Sequence, residues 1–543
     1  MTADIKLLDC TLRDGAYIVD GKFGEPAIRG IISKLNEAEV DVIECGWLKN
    51  PEYEMGTTYY HVPGDLCQYL GKKKKNTIYV VMIDWDRYDL DYLPEYDGSS
   101  IDAVRVVFPH GKHREGIEVA KGIKQKGYKV FLQAANTLAY SDEDLISLAQ
   151  AVNELCPVSL SVVDTFGAMY SDDLERIVAI LDERLDGMIG LGFHSHNNQQ
   201  LSFALSMRFV ELLENSGRQV IVDSSLCGMG RGAGNATTEL VASYLNKKQN
   251  GKYDMNAIMD AIDIYMSYFQ ENFSWGYSTP YFIAGLYCCH VNNIAYLLKN
   301  HRCNAMDMRN VIESLDPADR KKYDYDLLER KYIENQSKHV DDKDTIEKLK
   351  SSLTGRELLL LAPGRSVIQE EERIKAYIDE KKPVVVGVNA IVGDYAYDYM
   401  YFTNSVRYDY AGEAYGEKFA ETKKILLSNI KTEGLENESV VNFDRVIKRG
   451  WQHFDNAVIT CLRLMARLGC EDVAIAGFDG FKHRYNESYA DAQLPTLNPE
   501  NKWDELNEEI ADMYRELRQS DGKAMRVKFI TDSIFAMDGE YDD

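Results

Sequence analysis

The sequence predicts an α/β protein: an N-terminal (β/α)8 TIM barrel with a helical extension and a C-terminal Rossmann-like α/β domain. Three observations carry this expectation. The first 250 residues alternate eight short apolar runs with amphipathic stretches. Most of those runs are Val/Ile-rich and nearly continuous in hydrophobicity, as parallel strands buried on both faces are. After a purely helical stretch, the alternation starts again near residue 352. At 543 residues the chain exceeds what one core organises, so two or three domains are expected.

In chain order, the barrel strands are expected at 5–10, 40–47, 77–84, 102–108, 129–135, 158–164, 188–196 and 219–226. Helices fill most of the gaps, at 26–39, 114–127, 141–155, 171–185 and 235–248, several opened by Ser or Asn as N-cap. Residues 1–253 are thus read as the barrel, with an active site where the strands end. Residues 254–345 show only helical patterns. The polar stretch NQSKHVDDKDTIEKLKSS at 335–352 has no apolar face wide enough to anchor it, which predicts a linker. A second α/β domain is expected over 352–543, with strands at 357–364, 383–390, 397–404 and 471–480.

A formal net charge of -25 argues against nucleic acid or an anionic membrane surface as the main partner. The ten cysteines are scattered without a CxxC pair, the pattern of reduced core thiols and not of a disulfide framework or zinc knuckle. MTADIKLLDC lacks the basic start and apolar core of a signal peptide, and no apolar run reaches the length of a membrane span, so a cytoplasmic protein is expected.

The first strand runs into LLDCTLRDGAY, which places Asp9, Arg13 and Asp14 within six positions. Three ionisable groups there are costly to bury unless they bind a metal or substrate or pair with one another. The seventh strand ends in GFHSHNN. His194 and His196 are two apart, so both imidazoles point to the same face, where a carboxylate from the first strand could complete a metal site with open positions. Two satisfied core histidines and a structural ion pair are the alternative for either motif alone. The eighth strand runs into CGMGRGAGN, whose glycines let the backbone lie close to a ligand, and Asn235 could ligate a metal or cap the next helix. Glu44, Arg105 and Gln133 are inward-facing polar residues on strands two, four and five.

DCTLRDG, HSH and GMGRGAGN, in this order on strands one, seven and eight, resemble the DRE-TIM metallolyase (HMGL-like) superfamily. Within it the chain is most similar to the 4-hydroxy-2-oxovalerate aldolase branch, which VVDTFGAM at 162–169 and WGYSTPYFIAG at 275–285 also resemble. The resemblance covers roughly residues 1–345. It implies that Asp14, His194 and His196 hold a divalent metal, Mn2+ or Mg2+, with Asn235 as a further or water-mediated ligand. It implies a retro-aldol cleavage of a 4-hydroxy-2-oxo acid to pyruvate and an aldehyde, or the reverse, in which Arg13 stabilises the pyruvate enolate oxygen and Asp9 orients Arg13. Such aldolases carry a histidine base three residues past the metal-binding aspartate, where this chain has Tyr17. With an ordinary pKa of about 10, a phenol is a poor base at neutral pH unless neighbours lower it. Tyr277 and Tyr281 are both candidates for the family's active-site tyrosine, and Thr165 falls at its substrate-contacting serine. Substrate contacts are also assigned to Glu44, Arg105 and Gln133, with structural hydrogen bonds inside the barrel as their alternative role. The implied partners are a small 2-oxo acid and a separate aldehyde dehydrogenase, and a homo-oligomer is a further expectation.

In the C-terminal domain, APGRS at 362–366 follows a strand and precedes a helix, where α/β folds bind phosphate on backbone N–H groups. It is neither a Walker loop nor GxGxxG. With VNA at 388–390, TNS at 403–405 and GFDG at 477–480 at later strand ends, the domain resembles sialyltransferase-like and pterin-pyrophosphokinase-like domains, which implies nucleotide binding. An accessory or oligomerisation domain is the alternative. For the whole chain, the alternatives to the aldolase are a Claisen-type acyltransferase of the same superfamily and a degenerate barrel serving as a scaffold for the C-terminal domain. Against the acyltransferase, its members usually carry Gln or Glu where Ala16 and Tyr17 stand.

Overall fold

The computed structural model describes residues 2–301, 303–431, 434, 437–482, 484–499 and 502–541. The chain divides into two compact units, Met1–Val291 with Arg320–Lys322, and Asn292–Asp319 with Tyr323–Asp543.

The first unit holds eight parallel strands: β1 (Asp4–Asp9), β2 (Val42–Leu48), β3 (Ile78–Asp84), β4 (Ala103–Phe108), β5 (Lys129–Ala134), β6 (Ser159–Asp164), β7 (Gly190–Ser195) and β8 (Gln219–Ser224). They pair in sequence order, and β8 closes on β1 in register from Asp4 opposite Gln219 to Asp9 opposite Ser224. This is the TIM barrel that the eight apolar runs predict. A two-residue strand, Tyr59–Tyr60, pairs with β2 outside the ring.

Helices such as His113–Gln125, Asp142–Leu155 and Ser171–Arg184 lie between the strands. Ser141 caps the second of these by accepting from Asp144 N–H. Their apolar faces join the outward strand residues in one large core, to which helix Glu25–Glu37 contributes Ile28, Ile31, Ile32 and Leu35.

Inside the ring, Leu8, Val42, Val80, Ala103, Phe131 and Ile221 form a separate apolar layer. Two residues further along their strands stand Glu44, Arg105, Gln133 and Asp223, all at most 2% exposed. Because strand side chains alternate faces, the polar group lies one layer above the apolar plug, toward the C-terminal mouth.

The second unit is built on a seven-stranded parallel sheet. Its strands are β9 (Leu358–Leu361), β10 (Val384–Val388), β11 (Tyr399–Phe402), β12 (Lys423–Leu427), β13 (Glu438–Val441), β14 (Asp472–Ala476) and β15 (Arg526–Phe529). Their order is β13-β12-β11-β10-β9-β14-β15, a Rossmann-like arrangement whose direction of growth reverses beside β9. The sequence reading omits β12, β13 and β15. Each is four or five residues long, and β13 and β15 at the sheet edges mix charged with apolar residues, so neither offers a continuous apolar run.

The helical stretch from residue 254 is divided between the units, since Thr279–Leu286 belongs to the first and Ala305–Glu313 and Tyr325–Gln336 to the second. The expected linker at 335–352 is a correction: Lys343–Leu353 is a helix of the second unit that buries Leu349 and Leu353. Just before it, Asp342 is 2% exposed and takes a two-pronged ion pair from Arg445, at 2.5 and 2.7 Å. A narrow two-leucine face and one buried carboxylate hold this segment, a pattern too sparse to stand out in its composition. Among the described residues, no helix is long and apolar enough to cross a membrane.

Candidate functional site

The strand β1 stops at Asp9, and the chain turns into a short helix, Thr11–Asp14, that carries Arg13 and Asp14 across the C-terminal mouth. Asp14 is fully buried, His194 is 4% exposed and His196 9%. Their ligand atoms lie within 4.8 Å of one another, so strands β1 and β7 do bring the three side chains to one point.

His194 gives Nδ1 to Asp223 Oδ2 at 3.0 Å, which leaves Nε2 for a metal, with a carboxylate behind it that fixes the ring. His196 Nδ1 stands 4.0 Å from Asp14 Oδ2 and has no hydrogen-bond partner. Burial lowers the His196 imidazole to about 4, against the pull of Asp14, so it is neutral and able to donate a lone pair. Burial pushes Asp14 up, but Arg13 and the two imidazoles outweigh it, and its carboxyl lies well below the usual range.

Asn235 is not a helix cap. The following helix, Thr238–Lys248, has Thr237 at its N-cap, and Asn235 Nδ2 donates instead to Asp14 Oδ2 at 2.6 Å. Its Oδ1 is buried without a partner. Gly230 closes over this group: a Cβ there would lie 2.3 Å from Asn235 Nδ2 and 2.5 Å from Asp14 Oδ2, so only glycine fits. A buried carboxylate, two imidazoles, one of them with an unpartnered nitrogen, and the orphaned Asn235 Oδ1 are the donor set of a divalent cation, and the residues present fit one.

Behind the ligands runs an unbroken line of charges. Arg13 Nη1 bonds Asp14 at 2.5 Å and its Nε bonds Glu44 at 2.8 Å. Glu44 also accepts from Arg105 Nη1 at 2.7 Å, and Arg105 Nη2 bonds Asp223 at 2.5 Å, which returns the line to His194. Three carboxylates face two guanidiniums, which leaves one negative charge for a cation to offset. Glu44 and Arg105 therefore sit inside this network. Gln133 donates to Ser161 Oγ at 2.9 Å within the barrel, and Thr165 Oγ1 accepts from Asn136 N–H at 2.6 Å.

Asp9 does not orient Arg13. Its carboxylate accepts from Thr11 N–H at 2.9 Å and Thr238 Oγ1 at 2.6 Å, and so ties the turn after β1 to the helix after β8. What positions Arg13 is Glu44, with Trp47 Nε1 donating to the Arg13 carbonyl at 3.0 Å.

Tyr17 stands at the rim, 45% exposed, with the Arg231 guanidinium 4.9 Å from its ring centroid. Burial pushes its phenol up to about 12, and the nearby Arg231 and Arg13 only partly offset this. Solvent at the rim moderates the shift but leaves the phenol protonated at neutral pH. Tyr277 is 62% exposed, whereas Tyr281 is half-buried and within the electrostatic reach of Arg231.

Three residues at the mouth escape the sequence reading: Asp223, Arg231 and His290. Asp223 lies within a predicted strand. Arg231 lies inside the quoted GMGRGAGN, where a lone cation in a glycine run was the available signal. His290 carries no motif; its ring nitrogens lie 3.1 and 3.5 Å from Arg231 Nη2, and burial and that cation lower it to about 3. A second group of metal-capable side chains, His453, Glu505 and Glu509, lies in the other unit. Both His453 nitrogens are engaged there, by Glu509 and the Lys299 carbonyl, and Glu505 pairs with Lys502, which marks it as structural.

The HMGL-like family model matches residues 111–264. A 4-hydroxy-2-oxovalerate aldolase of Thermomicrobium roseum is 30% identical over 48% of this chain and 71% of its own length. An oxaloacetate decarboxylase of Mycobacterium tuberculosis is 24% identical over 47% of this chain and 74% of its own. Among solved structures, the hydroxymethylglutaryl-CoA lyase of Pseudomonas aeruginosa is 18% identical and covers 49% of this chain and 93% of that one, with a TM-score of 0.40.

Proposed function

The chain belongs to the HMGL-like, or DRE-TIM metallolyase, superfamily, and on that premise we propose that its barrel is a divalent-metal-dependent lyase of 2-oxo acids. In this reading it cleaves a 4-hydroxy-2-oxo acid to pyruvate and an aldehyde, or runs the reverse. The observation that carries the reading is the buried Asp14, His194 and His196 group with Arg13 bonded to Asp14.

Those three residues would hold Mn2+ or Mg2+, with Asn235 Oδ1 as a further donor; when bound, the ion supplies a Lewis acid for the 2-oxo acid. Arg13 spends Nε and Nη1 on Glu44 and Asp14, which leaves Nη2 to donate to the oxygen that becomes negative as the carbon–carbon bond breaks. Glu44 and Trp47 hold that guanidinium still, so little reorganisation is needed as charge develops. A retro-aldol step must also take the proton from the 4-hydroxyl.

The protonated Tyr17 favours a second reading. A phenol held above its ordinary value stays protonated at neutral pH and is placed to give a proton, not to take one. Loss of CO2 from a 2-oxo diacid needs no base: the bond from C3 to the departing carboxylate breaks, its electron pair passes into the enolate, and Tyr17 O–H can return a proton to C3. A relative named oxaloacetate decarboxylase supports this version.

Pyruvate release with Mn2+ or Mg2+ present, from 4-hydroxy-2-oxo acids and from oxaloacetate, separates the two. With Tyr17 as aldol base, the rate climbs about tenfold per pH unit between about pH 7 and 9, because the deprotonated fraction does. With Tyr17 as acid, the rate is flat over that interval, since the phenol stays protonated. No pyruvate from either substrate class by metal-loaded protein would sink the lyase and leave the scaffold.

A further inference from the structure

Outside the barrel, a cavity of about 110 Å³ lies in the second unit, at the C-terminal ends of its strands. One water needs roughly 10–15 Å³ by this measure, so the space suits a small organic molecule. It opens above the paired neighbours β9 and β14, where the strand order reverses, the place where open α/β sheets take ligands. Gly364 N–H donates to the Gly477 carbonyl at 2.9 Å and seals the floor between them. A Cβ on Gly364 would lie 2.3 Å from that oxygen, so the close approach requires glycine.

Arg407 lines this cavity, is only 7% exposed, and has no hydrogen-bond partner for Nη1. Its guanidinium lies over the Tyr489 ring, 4.9 Å from the centroid. A buried guanidinium nitrogen without an acceptor is costly unless a ligand supplies one. Two helices also begin at the cavity, Ser405–Glu421 behind Asn404 and Ala457–Leu468 behind Asn456, and their N-terminal ends carry partial positive charge, part of which the Asn side chains already offset by accepting from Arg407, Val458 and Ile459 N–H.

The remaining wall decides the class of anion. Phe478, Phe481 and Phe535 supply flat apolar surface, and the Asp455 and Asp479 carboxylates supply acceptors. Asp479 is held by Ser366, which donates N–H at 2.9 Å and Oγ–H at 2.5 Å. Inorganic phosphate or a simple carboxylate would use the cation and meet the acidic groups unfavourably. A ligand with an anion at one end, hydroxyl donors in the middle and a flat ring at the other uses all three features. We propose that this cavity binds a nucleoside phosphate, with its phosphate on Arg407 and the helix N-termini, its sugar hydroxyls on Asp479 and its base against the phenylalanines. The site is independent of the chemistry of the barrel.

Calorimetric titration of the full chain with AMP, CMP, GMP and UMP, with their nucleosides, and with inorganic phosphate tests this. At least one nucleotide is expected to saturate the protein, with its nucleoside and inorganic phosphate each weaker by about tenfold or more. Arg407→Met should weaken that nucleotide by a similar factor. Asn389→Asp provides a second variant, because Asp tolerates the φ of 55° there and keeps the acceptor for Thr403 N–H while bringing negative charge to the cavity. It should weaken binding likewise even where Arg407→Met fails to fold. Absence of saturation by every nucleotide up to about 1 mM, phosphate binding as tightly as the nucleotides, or unchanged affinity in a folded variant would overturn the proposal.

Discussion

The barrel and the α/β unit handle buried charge in opposite ways. In the barrel, Asp14, Arg13, Glu44, Arg105 and Asp223 form one continuous line that ends on His194. In the α/β unit the buried charges sit in smaller, separate groups: Asp342 pairs with Arg445, Glu540 with Arg518, Arg463 with Glu516 and Asp521, and Arg407 keeps an unpaired nitrogen. The difference follows from topology. A closed ring points the inward side chains of alternate strands at one axis, so charges far apart in sequence meet and compensate. An open sheet spreads its strand ends along a line, so charges meet only their neighbours, and a cavity forms where the order of the strands reverses.

The sharpest way to break this contrast is Glu44→Gln. The amide leaves two buried guanidiniums short of a counterion, and a loss of about 3–5 kcal/mol is expected by urea unfolding followed with a barrel probe. A cost under about 1 kcal/mol would mean that the charges do not act as one network. Arg13→Lys comes next. Lysine keeps the charge but lacks the planar fork that spans Asp14 and Glu44 and aims a third donor in a fixed direction, so turnover should fall about 10²–10³-fold with metal stoichiometry unchanged. Undiminished turnover would remove Arg13 from the chemistry.

Asp223→Asn probes the far end of the line. Without the carboxylate behind His194, affinity for Mn2+ should drop about 10–100-fold in a direct titration, and an unchanged affinity would sever Asp223 from the ligand set. The smallest effect is expected in the other unit. Arg445 is 43% exposed in its pair with Asp342, so after solvent screening Arg445→Ala should cost only about 1 kcal/mol. A much larger loss would show that the α/β unit also couples its charges.

The legible part of the site was the part written as local pattern. His194 and His196 are two apart on a strand, and strand geometry alone puts them on one face. Arg13 and Asp14 end an apolar run where charge has no other reason to be. Asp9 was misread because adjacency in sequence suggested a partnership with Arg13, whereas the helical turn from Thr11 sends the two side chains to different neighbours. Asp223 was missed because a carboxylate inside a predicted strand looks like any solvent-facing strand residue until the ring closes around it. The α/β unit was less legible for the same reason at larger scale, since its short edge strands mix charged or polar with apolar residues.

By itself, the sequence determined the eight-strand alternation, the inward parity of Glu44, Arg105 and Gln133, and the order of the three motifs, because periodicity in hydrophobicity is a property of neighbours along the chain. Only the tertiary structure decided that Arg13 answers to Glu44, that Asn235 binds Asp14 and caps nothing, that Tyr17 keeps its proton, and that Arg407 faces a cavity. Each of those depends on desolvation and on distances between residues from 30 to more than 200 positions apart, and no local pattern records either.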